Sequence, residues 1–262
     1  MNAPLRVQRE GYIETWTIDL PEQRNPITAP ETTAAFVAAV ERATDDLDTR
    51  CIVLTGAGSA FSGGGNIKEI RAGEGMFGAP PAEAVAGYRS TIQRLAAAVF
   101  HCEVPIIAAV NGPAVGAGCD LTLMCDVRIA STRATFAESF VRLGLVPGDG
   151  GAWLLSRVVG PARAAEMTFT GAPVDARRAL DWGLVSAVVE PDELLPAAEE
   201  LATAIAANPP LAVRTAKRMM RAAEQQRFDD ALLLAAPLQA VAHHTVDHRS
   251  AVARPPRPFV GR

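Results

Sequence analysis

Residues 12–20 alternate apolar and polar positions and are rich in β-branched and aromatic side chains, which predicts a strand. Residues 21–30 carry Pro, Asn and Arg and read as a loop. Residues 31–46 are Ala-rich at helical spacing. Residues 50–55 (RCIVLT) form a short continuous apolar run, the mark of a strand buried on both faces. That run ends in the small-residue turn 56–60 and the segment Phe61-Ser62-Gly63-Gly64-Gly65-Asn66. A helix is expected from Ile67, a loop over 73–81 and a long helix over 83–102. Residues 105–110 read as a second buried strand, followed by a second glycine turn at 111–118, a helix over 119–124 and a strand over 127–130. Strand, glycine turn and helix thus occur twice. Such repetition predicts an α/β spiral in which each turn stacks on the last.

Further along, 144–151 reads as a turn, with helices over 152–159, 161–169 and 174–182 and a strand over 184–189. From Pro191 onward the pattern is helical only. Asn208-Pro209 fits an N-cap with Pro at the first helical position, opening a helix to about Arg221. The organisation expected is a core over 1–195 and a helical region over 196–262.

Composition narrows the function. The 262 residues are 49% hydrophobic and 21% charged, as in an ordinary globular protein, and long enough for a large core. A net charge of -4 and a pI near 5.6 give no broad basic surface for nucleic acid. No apolar run is long enough to span a bilayer, and the first ten residues lack the apolar core of a secretory signal. The four cysteines make no CxxC pair and read as reduced, buried core residues of a cytoplasmic protein. GxGxxG is not met, because Phe61 stands where its third glycine would be, and no GxSxG occurs. His243, His244 and His248 read as a solvated or interface helix rather than a metal site.

The two glycine turns carry the candidate chemistry. A thioester carbonyl becomes an enolate-like oxyanion when its α- or β-carbon reacts, and two preorganised backbone N–H groups are the simplest stabiliser. Such donors need a chain that approaches without side chains, beside a helix N-terminus. FSGGGNIKE (61–69) resembles the F-x-A-G-x-D-x-K-E segment of the crotonase superfamily, the enoyl-CoA hydratase/isomerase family. NGPAVGAGCDLTLMCDVRIA (111–130) resembles its N-G-x-A-x-G-G-G-x-E-L-x-x-x-C-D segment. PEQRNPIT (21–28) is similar to its R-N-A-L motif, and 141–171 with 182–189 to the stretch that follows.

The resemblance implies an α/β fold: a crotonase-type ββα spiral core with a C-terminal helical trimerisation region. It implies an acyl-CoA substrate, no metal or redox cofactor, and a homotrimer or dimer of trimers. By it the two donors are the N–H groups of Gly65 and Ala117, with Gly63, Gly64, Asn66, Ile67 and Gly116 around the thioester. It places Arg24, Lys68 and Phe259 along coenzyme A.

The family's hydratases use two glutamates. Asp120 stands at the first position, shorter in reach by roughly 1.5 Å. Phe140 stands at the second and cannot move a proton. Glu138 lies two residues earlier; on a helix it would face about 200° away and is expected to pair with Arg142 on the surface. Asp149, in VPGDGG, is the other substitute, with helix capping as its alternative role. If Asp120 and Asp149 both face the thioester, an acid/base pair exists; if one does, a one-base double-bond shift fits better than hydration. A C–C hydrolase of the β-diketone type using Asp149 and a catalytically silent binding protein are the alternatives.

Overall fold

The computed structural model describes residues 3–253. Its strands are β1 (Leu5–Glu10), β2 (Ile13–Ile18), β3 (Cys51–Gly56), β4 (Ile106–Val110), β5 (Ala114–Val115), β6 (Val127–Ser131), β7 (Thr135–Ala137), β8 (Val174–Asp175) and β9 (Ala187–Val189). Its helices are α1 (Pro30–Asp45), α2 (Ile67–Ala72), α3 (Pro81–Ser90), α4 (Ile92–His101), α5 (Ala117–Met124), α6 (Gly151–Val159), α7 (Pro161–Thr170), α8 (Ala176–Asp181), α9 (Leu194–Ala206), α10 (Pro210–Ala223), α11 (Phe228–His243) and α12 (Val246–Val252).

The main sheet runs β1-β2-β3-β4-β6-β9, antiparallel at β1/β2 and parallel beyond. The apolar runs read as buried strands owe their character to cover on both faces. Ile52, Leu54, Ile106, Ala108 and Val110 point into the main core, shared with α1, α4 and α5. Cys51, Val53, Ile107 and Ala109 point the other way, onto Leu194, Ala198 and Ala202 of α9. Those three share one face of α9 at i, i+4 and i+8, and two of them are alanines, so the helix lies close on the sheet. Helix α9 covers the sheet and packs into its core.

A smaller sheet, β5-β7-β8, stands beside the glycine turns. Parallel bridges Pro26–Gly64 and Ser62–Ala114 tie the successive turns of the chain together. The strand, glycine turn and helix repeat is therefore real: β3 leads to 56–66 and α2, and β4 leads to 111–116 and α5.

Several elements differ from the sequence expectations. The strand β1 was not foreseen; it forms a hairpin with β2 around Gly11 at φ 56°. The long helix over 83–102 is two helices broken at Thr91 (φ −113°, ψ −104°), whose hydroxyl donates to the Gly87 carbonyl at 2.6 Å. The hydroxyl shares that carbonyl with the Thr91 N–H, which still donates to it at 3.1 Å. The expected helix over 174–182 begins as β8, which pairs with β7, and turns helical only at Ala176. Asn208 does not cap α10: Pro209 holds the cap position, and the Asn208 amide donates back to Ala204.

Helix α10 is anchored by a buried arginine. Arg214 donates to the carbonyls of Ala43, Thr44, Asp46 and Thr49 at 2.6–3.0 Å. Ala43 and Thr44 are among the last carbonyls of α1, which have no partner inside their helix. Arg214→Met is expected to leave these acceptors buried and unpaired, at a cost of about 3 kcal/mol, read as a lowered urea midpoint. Helices α11 and α12 bury no residue and expose Phe228, Leu233 and Val246. All four cysteines are free and buried. No described helix is long and apolar enough to cross a membrane.

Candidate active site

The two glycine turns meet edge to edge. Gly64 has φ 76°, and a Cβ on it would stand 2.5 Å from the Val115 carbonyl oxygen and 2.9 Å from the Ala117 nitrogen. A Cβ on Gly118 would stand 2.3 Å from the Ser62 carbonyl oxygen. Glycine is required at both places by backbone contact. The Ser62 hydroxyl accepts from the Gly64 N–H at 3.1 Å and donates to the Asn25 carbonyl at 2.7 Å, fixing the first turn. Gly116 (φ 54°) turns the chain into α5, leaving Ala117 as its first residue.

A cavity of about 150 Å³ opens where the turns meet. Gly63, Gly65, Ile67, Gly116, Ala117, Phe140 and Asp149 line it, together with Tyr88 and Ile92. Met76 and Phe77, from the loop expected at 73–81, close one side. The volume is below the several hundred Å³ usual for a whole cofactor. No described residue accepts a hydrogen bond from the Gly65 or Ala117 N–H. Two residues with N–H groups that no described acceptor takes, one of them at a helix N-terminus, thus line one cavity.

Asn66 caps α2, its side-chain oxygen accepting from the Lys68 N–H at 3.1 Å. Lys68 and Arg24 are exposed, and the Arg24 carbonyl accepts from the Gly63 N–H at 2.7 Å. Gly64 is buried behind the cavity wall. Phe259 lies outside the described residues.

The carboxylates are arranged otherwise than the sequence suggested. Glu138 does not pair with Arg142 on a surface helix. It leaves strand β7 into the interior and is 1% exposed, while Arg142 donates to the Thr170 carbonyl. The helical spacing failed because residues 135–137 are a strand, held by pairing with β8. Asp149 does not cap α6 either: Gly150 (φ 115°) holds that position with no side-chain bond. Asp120, Glu138 and Asp149 come together instead in one buried cluster. Of the three, only Asp149 lines the cavity; Asp120 is fully buried behind it. Phe140 does line the cavity, as an apolar wall beside Gly116.

No described basic side chain pairs with this cluster. Neither oxygen of Asp120 or Glu138, nor Oδ1 of Asp149, receives a well-formed hydrogen bond from a described donor. Burial first, then the neighbouring negative charge, raises all three carboxyls. Asp120 is held well above the usual carboxylate range, Glu138 is raised, and Asp149 is pushed up to about 9. Strongly raised carboxyls beside a cavity are what acid/base chemistry near neutral pH requires.

The chain is similar to known proteins over nearly its whole length. The family model described as enoyl-CoA hydratase/isomerase matches residues 8–253. The short-chain-enoyl-CoA hydratase of Clostridium acetobutylicum is 34% identical over 251 residues, 94% of this chain and 92% of its own. The 1,2-epoxyphenylacetyl-CoA isomerase of Escherichia coli is 33% identical over 247 residues, 93% of this chain and 92% of its own. Among solved structures, an enoyl-CoA hydratase from Bacillus anthracis superposes with a TM-score of 0.88 at 30% identity, covering 95% of this chain and 94% of that one. With its spiral fold, abutting glycine turns and matched length, this chain belongs to the enoyl-CoA hydratase/isomerase family.

Proposed function

We propose that this protein shifts the double bond of an enoyl-CoA thioester, from the 3- to the 2-position, with Asp149 as a single acid/base. The observation that carries this reading is that Asp149 is the one described carboxylate on the cavity wall, with Phe140 where a second would stand. The N–H groups of Gly65 and Ala117 form the oxyanion hole. Asp149 takes a proton from C2; the C–H electron pair enters the C1–C2 bond and the carbonyl oxygen becomes the oxyanion. The Asp149 O–H then breaks, its proton goes to C4, and the double bond comes to rest between C2 and C3. Hydration would need a second group to hold and activate water, and Phe140 offers none.

Arg24 and Lys68, exposed beside the first turn, suit the phosphates of coenzyme A. The chemistry calls for no metal or redox cofactor. A homotrimer or dimer of trimers fits the apolar side chains left exposed on α11 and α12.

The test compares initial rates on a short 3-enoyl-CoA and on the matching 2-enoyl-CoA. Isomerisation is expected to outrun hydration, and Phe140→Glu is expected to raise hydration relative to isomerisation. Faster hydration by the unaltered protein would overturn the one-base reading.

A further inference from the structure

The cavity where the glycine turns meet has four polar side chains on its wall, Thr28, Tyr88, Ser139 and Asp149. Asp149 has its task in the reaction. The Thr28 hydroxyl is fully buried, closed off from the cavity. The Tyr88 ring lies along the loop of Asp149, 3.6 Å from where a Cβ on Gly148 would stand. Ser139 remains. It is half-buried, stands at the second glycine turn, and its hydroxyl is bonded to no described residue.

The strand before it explains the placement. Strand β7 runs parallel to β5, with Ala114 opposite Phe136 and Val115 opposite Ala137. The ladder goes one step further, because the Gly116 N–H donates to the Ala137 carbonyl at 2.8 Å. The same register, carried on two residues, sets Ser139 level with Ala117. Successive side chains of an extended chain take opposite sides. Glu138 therefore enters the interior and Ser139 comes to the cavity. The chain then turns into the short 3-10 helix Ser139–Leu143. Ser139 Oγ stands 3.8 Å from where a Cβ on Gly116 would be, and Phe140 Cζ stands 3.6 Å from the same point. A free hydroxyl thus lies beside the turn that presents the Ala117 N–H, with an apolar ring as its neighbour.

A carbonyl oxygen has two lone pairs, and the N–H groups of Gly65 and Ala117 can take both. When the C2 proton leaves, that oxygen gains charge and a third pair. A donor waiting for the third pair bonds more strongly in the transition state than in the ground state. Such a donor raises kcat instead of tightening binding. We infer that the Ser139 hydroxyl is a third donor to the thioester oxygen as its charge develops. The inference rests on the oxyanion hole proposed above. The hydroxyl gives a hydrogen bond and keeps its proton, so no covalent bond forms or breaks at Ser139. Its rotor can turn to meet the charge, and the Phe140 ring beside it lowers the local dielectric, in which such a bond is stronger.

The test is exchange of the C2 hydrogens of butyryl-CoA in deuterated water, followed by mass spectrometry. Exchange passes through the same enolate and moves no double bond. Ser139→Ala is expected to slow exchange and isomerisation by one common factor of about tenfold, less than the loss of about 10²–10³-fold for a principal oxyanion donor. The half-saturating substrate concentration should stay unchanged. Ser139→Thr keeps a hydroxyl at the position and is expected to recover most of the rate. Undiminished exchange in Ser139→Ala would overturn the proposal. So would a raised half-saturating concentration in both variants with no recovery by threonine, which marks a packing role. Exchange that depends on Ser139, in a protein that fails to shift 3-enoyl-CoA, overturns the one-base reading and leaves the third donor standing. An unaltered protein that binds butyryl-CoA and exchanges nothing overturns the oxyanion hole and the third donor together.

Discussion

Asp149→Asn is expected to lower kcat for double-bond shift by ~10²–10⁴-fold, the usual contribution of a positioned acid/base, with acyl-CoA binding nearly unchanged. The amide has the size of the carboxyl and removes a group that burial already holds protonated, so the fold should not weaken. A loss in kcat without a matching rise in KM marks an interaction made in the transition state. The sign of the pH dependence follows from the same burial. A carboxyl raised to about 9 is mostly protonated at pH 7, so its base form, and the rate, grow as pH rises toward that value. Steady-state kinetics over pH, with a binding titration of a saturated acyl-CoA, check both statements. An Asn variant with undiminished turnover would place the base elsewhere.

Gly64→Ala is expected to cut kcat by about 10²-fold through the oxyanion donors, although position 64 touches no substrate. A methyl there meets the Val115 carbonyl oxygen at 2.5 Å and the Ala117 nitrogen at 2.9 Å. Both are backbone atoms, so the turns must part. The φ of 76° adds strain for any residue with a Cβ, about 1–3 kcal/mol. Parting the turns moves the Gly65 and Ala117 N–H groups off a common point, and donors misaimed at a developing charge lose most of their effect. Urea denaturation separates the lost stability from the larger loss of rate in the folded fraction.

The contrast between these two sites shows what was legible in the chain. The glycine turns are local: each follows a continuous apolar strand, and their sequence order is their order in the spiral. That pattern marks the turns, whereas the choice of Gly65 and Ala117 within them is what the family resemblance implies. The carboxylates were legible one at a time but not as a group. Asp120 and Asp149 could be singled out, whereas their contact with Glu138 depends on where β7 ends and α6 begins. Helical spacing put Glu138 on the surface because three residues of strand before it, held by β8, reverse its direction. That pairing is tertiary, and a window of local periodicity does not see it. The break at Thr91 escaped the helix pattern for a similar reason: its hydroxyl finds both the Gly87 carbonyl and Met76, a neighbour from the preceding loop.

The central claim is that one carboxylate carries a proton between two carbons. It is tested most directly with a 3-enoyl-CoA bearing deuterium at C2, converted in ordinary water and analysed for label at C4 of the 2-enoyl product. Asp149 as the sole carrier, closed off from solvent by the acyl chain, should deliver label to C4 well above the solvent background. Complete loss of label to water, with a hydroxyl appearing at C3, would contradict the account.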